Sequence, residues 1–217
     1  MIACHSTMAR ERNRESADPL SQIDVLAVTK NCHNGQKIYG QDSAAGDWYR
    51  IVSGAARKYL LLADGRRRIV DFLLPGDFFG FDIRNPHHFA VESIGESAVT
   101  FYPRLRVEAL ADANPLLGGR IRDVAFEAVS RSQARMLILG RVTAVEKLSS
   151  FLAEMAERSA ARDTHIVILP MSRYDIADYL ALSVETVSRA MTQLQHCGTI
   201  TLLGRRCIRI ADNRALR

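Results

Sequence analysis

One stretch constrains the fold more than any other: MSRYDIADYLALSVETVSRAMTQLQHCG, residues 171–198. Ser172 stands three residues before Asp175, the spacing at which a hydroxyl and a carboxylate cap each other's backbone amides at a helix start. Ile176, Ala177 and Leu180 follow on one helical face. Ser183 can cap a second helix. On that helix Val184, Val187, Ala190, Met191 and Leu194 point inward. Glu185, Ser188, Arg189, Thr192 and His196 share the opposite face. Gly198 suits the helix end. Two helices a few residues apart, the second polar outside, are a helix-turn-helix. Residues 165–169 read as a short strand before it. Residues 199–210 alternate around Gly204 as a hairpin after it, so the unit is winged.

The outer face of the second helix has the chemistry of base readout. Arg189 can donate two hydrogen bonds to guanine, Glu185 can accept from cytosine, and Ser188 can meet either kind of base edge. The plainer reading of Glu185 and Arg189 is an i,i+4 surface ion pair, which stabilises a helix by only about 0.3–0.5 kcal/mol. The surrounding helix-turn-helix and hairpin favour readout of bases in double-stranded DNA over the ion pair.

The remaining chain reads as a platform for this unit. Residues 1–18 are a polar tail. Residues 22–103 are short runs of Val, Ile, Phe and Tyr cut by glycines, the pattern of a sandwich or barrel. Asp64-Gly65 and Pro75-Gly76-Asp77 are turns within it. Composition turns helical from Pro115, which suits a first-turn position. Leu117, Ile121, Val124 and Ala128 form an apolar stripe that either packs on its own domain or pairs with a second copy. A further helix, about 143–158, buries Val145, Leu148, Leu152 and Met155. The fold class expected is α+β; a family resemblance, carried by the motifs below, implies an N-terminal β-roll, a long dimerisation helix and a C-terminal winged helix-turn-helix. The boundaries expected are 1–18 for the tail, 19–112, 113–141 and 142–217.

Composition adds less. Net charge is +5 with a pI near 9.2, a mild lean toward a polyanion. No run of eighteen apolar residues and no apolar leader exist, so a cytoplasmic protein without membrane contact is expected. The four cysteines, Cys4, Cys32, Cys197 and Cys207, form no CxxC pair and read as free thiols. Cys197 ends the reading helix and Cys207 lies on the wing. Both are either half-buried small residues or sites where oxidation controls DNA binding.

The segment SRYDIADYLALSVETVSRAMTQLQ resembles the DNA-binding motif of the CRP/FNR superfamily, and ETVSR its FNR and FixK branches. Gly54, Gly65, Gly76 and Gly80, with DGR and PGDFFG between them, resemble the glycine frame of that family's cyclic-nucleotide-binding β-roll. Residues 114–139 fall where the family has its dimer helix. The resemblance covers about residues 22–210. It implies a homodimeric transcription regulator, expected to be an activator working with RNA polymerase. It also implies that Glu185, Ser188 and Arg189 read bases in a TTGA-type half-site while Ser172, Arg173 and Ser183 contact phosphates. The FixK branch points to micro-oxic respiration or nitrogen-fixation genes. Ala181 stands where family members often have glycine at the turn.

The sensor features of relatives are missing. Phe81 falls where nucleotide-binding members carry a ribose-holding Glu, and His88 and Phe89 where they carry a phosphate-holding Arg-Ser. Two N-terminal-half cysteines are too few for an iron–sulfur cluster. A Cys2His2 site from Cys4, His5, Cys32 and His33 lacks a finger's spacing. His87 and His88, nominal haem ligands, read as a surface loop pair. No cofactor and no metal are expected. No nucleophile elbow, P-loop or dinucleotide fingerprint marks an enzyme. The alternative is a related regulator answering an unidentified small-molecule, metal or redox signal.

Overall fold

The protein is described by a computed structural model covering residues 18–82, 86–158 and 165–211. The expectations placed on residues 1–17, including Cys4 and His5, lie outside the described residues.

Among the described residues the first element is a 3-10 helix, Pro19–Leu26, capped by the Asp18 carboxylate on the Leu20 amide at 3.0 Å. Residues 22–26, read from sequence as part of the strand-rich region, therefore belong to a helix. Six strands follow: β1 (Val28–Cys32), β2 (Lys37–Tyr39), β3 (Asp47–Leu61), β4 (Arg67–Leu73), β5 (Phe78–Phe79) and β6 (Ala90–Pro103). They form one antiparallel sheet ordered β1-β6-β3-β4, with β2 added on β6 and β5 on β3. The long strands β3 and β6 pair from Asp47↔Pro103 to Tyr59↔Ala90. Near the middle the register shifts around Ser53. Gly54 sits there at φ +78, and a Cβ on it would collide with the Glu96 carbonyl and Ser97, so only glycine fits the crossing. The sheet closes over Tyr39, Tyr49, Ile51, Phe79, Val91 and Val99, all buried.

Two helices cover one end of this roll: α1 (Arg104–Ala113) and α2 (Pro115–Leu139). Composition shifts near residue 104, where α1 begins, but the sequence pattern marks no helix ahead of Pro115. Asn114 caps α2, accepting from the Leu116 and Leu117 amides at 3.1 and 3.4 Å, with Pro115 at the first position. Leu117 is fully buried and Val124 nearly so, in a cluster with Leu20, Ile23, Trp48, Phe78, Tyr102 and Val107. Ile121 packs against the same cluster. Leu117, Ile121 and Val124 of the apolar stripe thus pack on their own domain, while Ala128, the fourth member, is half-buried and outside this cluster. The roll and the 3-10 helix consume this stripe because an all-β layer needs a helix over its open end to remove apolar surface from water.

The last unit comprises α3 (Ala144–Arg158), β7 (Ile166–Ile168), α4 (Arg173–Leu180), α5 (Val184–His196), β8 (Ile200–Leu202) and β9 (Cys207–Ile210). The three strands form an antiparallel sheet, β7-β9-β8. Leu148, Phe151, Leu152 and Met155 of α3 are buried, and Val145 is half-buried. The core of this unit is continuous with that of the roll: Phe72 of β4 lies 5.0 Å, ring to ring, from Tyr179 and 6.1 Å from Phe151. Among the described residues no helix is long and apolar enough to cross a membrane.

Candidate nucleic-acid interface

The supporting helix α4 begins at a complete capping box. Ser172 Oγ accepts from the Asp175 amide at 3.1 Å, and the Ser172 amide donates to Asp175 Oδ2 at 3.0 Å. The Ser172 hydroxyl also donates to Asp175 Oδ2 at 2.7 Å. Both donors of Ser172 are thus spent inside the chain. Arg173, next along, is half-buried, and its Nη1 is enclosed without a protein partner. Burial pushes the Arg173 pKa down from its ordinary value, but a guanidinium stays charged. Only an outward swing of the side chain would offer this nitrogen to an acceptor outside the protein.

The turn between the helices runs through Ala181, which adopts the left-handed conformation at φ 53, ψ 47. The Leu182 amide then donates to the Ala177 carbonyl at 2.9 Å, so the turn closes despite the missing glycine. Ser183 caps α5, accepting from the Thr186 amide at 3.1 Å. At the far end Gly198, at φ +71, lets the Thr199 amide reach back to the Leu194 carbonyl at 3.0 Å.

The two faces of α5 are as the spacing predicts. Val187, Ala190, Met191 and Leu194 are buried, while Glu185, Ser188, Arg189, Thr192 and His196 are exposed. Among the described residues no ion pair joins Glu185 to Arg189. Glu185 is held below the ordinary carboxylate range by its own backbone amide first, then by the Ser183 hydroxyl, with the Arg189 charge a lesser cause. The Glu185 carboxylate thus rests on its own backbone amide and the Ser183 hydroxyl, while the exposed Arg189 side chain forms no ion pair among the described residues. Cys197 is exposed at the end of α5, and Cys207 is half-buried on β9.

The roll offers no comparable surface. A cleft of about 490 Å³ between roll and α2 is lined by Trp48, Phe78, Phe81, Asp71, Arg104 and Arg122, among others. Phe81 stacks edge-on against Trp48 at 5.0 Å. His88 is exposed, and Phe89 is covered by Lys58 Nζ at 4.6 Å from its ring. His87 is a correction: it is fully buried rather than on a surface loop. Its Nδ1 lies 2.6 Å from Asp82 Oδ2, and its ring stacks on Tyr39 at 3.9 Å. Its backbone, bonded to Asp42 and Ser43, pins it inward. Cys32 is buried in the roll, where burial pushes its thiol pKa up. His33 lies outside and meets Glu96 at 3.0 Å.

Comparison with known proteins agrees with this architecture. A Crp-like helix-turn-helix domain matches residues 146–217, and a cyclic nucleotide-binding domain matches residues 29–114. The nitrogen fixation regulation protein FixK of Azorhizobium caulinodans is 38% identical over 94% of this chain and 83% of its own length. FixK of Rhizobium meliloti is 39% identical over 92% of this chain and 89% of its own. The chain belongs to the CRP/FNR family of transcription regulators. Within that family the structure of FixK2 from Bradyrhizobium japonicum superposes with a TM-score of 0.82 at 38% identity, covering 88% of this chain and 95% of that one. The protein is a DNA-binding transcription regulator of the FixK/FNR type. Its curated relatives are regulators rather than enzymes.

Proposed function

We propose that the protein binds a two-fold symmetric DNA site with TTGA-type half-sites as a homodimer. Glu185, Ser188 and Arg189 read the bases, and Arg173 and Ser183 hold the phosphates. Ser172 reaches a phosphate only by exchanging its bond to Asp175. The observation that carries this reading is the exposed Glu185–Ser188–Arg189 face, with no Glu185–Arg189 ion pair among the described residues, on a helix capped at both ends. The second copy docks on the outer stripe of α2, where Phe126, Val129, Met136 and Leu137 remain exposed. In this division residues 19–112 form the roll, 113–141 the dimer helix and 142–217 the DNA-binding domain. The regulator works in the cytoplasm, as an activator with RNA polymerase, on micro-oxic or nitrogen-fixation genes. Oxidation of Cys197 or Cys207 is proposed to lower its DNA affinity by crowding the phosphates.

Single-base variants of the half-site, titrated at two salt concentrations, test the readout. Arg189→Ala is expected to cost about 1–3 kcal/mol on the cognate site and to flatten preference at one base pair. Arg173→Ala is expected to weaken every sequence equally and to lower the salt slope by about one. A uniform loss across all variants for Arg189→Ala would sink the assigned docking of α5.

A further inference from the structure

The roll grips the DNA-binding unit at one buried carboxylate. Asp175 is 2% exposed, and its two oxygens serve different units. Oδ2 closes the α4 cap with Ser172. Oδ1 accepts from Arg57 Nη1 at 2.8 Å and from Arg67 Nη2 at 3.0 Å, both on the roll. Glu92 of β6 holds the same two arginines from the other side, at 2.6 Å from Arg57 Nε and 3.0 Å from Arg67 Nη1. Two carboxylates and two guanidiniums close a ring with no net charge. About one turn along α4, Asp178 takes the Ile69 amide at 3.0 Å and Arg68 at 3.3 Å. Arg135 of α2 donates to the Ile69 and Tyr179 carbonyls at 2.7 and 3.2 Å.

We propose that this ring positions the DNA-reading helix, with Arg57, Arg67 and Glu92 acting as positioning residues for the base contacts made by α5. Apolar packing is non-directional and would let α4 slide on the roll. Forked guanidinium–carboxylate bonds fix direction as well as distance. The cap bonds on Oδ2 hold the Asp175 side chain in place within α4, so a tilt of the unit away from the roll is felt directly at the two Oδ1 bonds. A dimer reading two half-sites one helical turn apart has to present both reading helices at a set spacing. A small tilt at the ring is therefore felt at both half-sites. The inference rests on the proposed reading of a two-fold site, and it makes the roll a fixed brace that needs no ligand to seat the reading unit.

The full-length chain tests it, using a duplex with two TTGA-type half-sites at two salt concentrations. Arg57→Gln and Asp175→Asn should each weaken binding roughly tenfold, equally on every single-base variant. The salt slope should stay unchanged, because no phosphate contact is lost. The double variant should bind no more weakly than the weaker single one. Hydrogen exchange gives a readout independent of DNA: the Ile69 amide should exchange faster in Arg57→Gln, while the Val99 amide inside the roll should not. Should Arg57→Gln unfold, Arg57→Lys, which keeps the charge without the fork, should show the same pattern more weakly. Wild-type binding and Ile69 exchange by the Arg57 variants would overturn the proposal, as would additive losses or a salt slope reduced by one. If the wild type ignores the duplex, the two-fold reading fails, and Ile69 exchange alone then decides whether the ring seats α4.

Discussion

Ala181 shows how a single residue can depart from a family habit without breaking the motif. An L-residue in the left-handed region costs about 1–2 kcal/mol through its Cβ. The side chain is exposed, so no packing offsets that cost. Glycine at this position loses more chain entropy on folding, which returns part of the gain. Ala181→Gly should therefore stabilise the chain by about 0.5–1 kcal/mol, a rise of roughly 1–4 °C in Tm for a chain of this size. DNA affinity should stay unchanged. Thermal melts of the two chains check this, and an unchanged or lower Tm would mean that the turn carries no strain. At this scale the site was legible from sequence: the Ser172 box, the Ser183 cap and the exposed Glu185–Arg189 face all follow from local spacing. The burial of His87 was not, because it depends on the Tyr39 ring and the Asp42–Ser43 backbone, which are distant in sequence, as well as on nearby Asp82.

At the scale of elements, α2 is where periodicity reached its limit. A stripe at four-three-four spacing shows that a helix has an apolar face, but not what covers it. Here α2 has two. Leu117 and Val124 face the roll, and Phe126 and Val129 stay 66% and 53% exposed. The second set was hidden because Gly119, Arg122 and Gln133 interrupt it. The two faces predict opposite outcomes for the same kind of change. Aspartate at Val124 buries a charge without a partner and should unfold the roll. Aspartate at Phe126 and Val129 should leave a folded chain that sediments as a monomer and no longer retards a palindromic duplex. Far-ultraviolet circular dichroism with analytical ultracentrifugation separates the two. A Phe126→Asp/Val129→Asp chain that still sediments as a dimer would show that the second copy docks elsewhere.

Where the units meet, buried charge lies beside the shared apolar core, and no sequence pattern announces those ion pairs. Beside the Asp175 ring lies a second cluster joining roll, α2 and α3. Arg158 donates to Asp77 at 2.6 Å, to Glu154 at 3.0 Å and to the Phe72 carbonyl at 2.7 Å. Arg131 lies 3.6 Å from Asp77, and Asp71 faces the same arginines. Three carboxylates thus share two guanidiniums, and Glu154 Oε2 is buried without a partner. Burial raises the pKa of both Asp71 and Glu154, against the pull of Arg158 and Arg131. The native chain then keeps these protons at a pH where the unfolded chain has released them. Stability contributed by these two groups is accordingly greatest in acid. It falls as pH rises from the ordinary carboxylate range through their raised values. An Asp71→Asn/Glu154→Gln chain cannot lose those protons. Its unfolding free energy, measured in urea from about pH 4 to 8, should climb relative to wild type as pH increases. Parallel curves would show that Asp71 and Glu154 titrate alike in the folded and unfolded chains. The cluster would then join the units through its neutral contacts and the Asp77–Arg158 pair, with no protonation step at the junction.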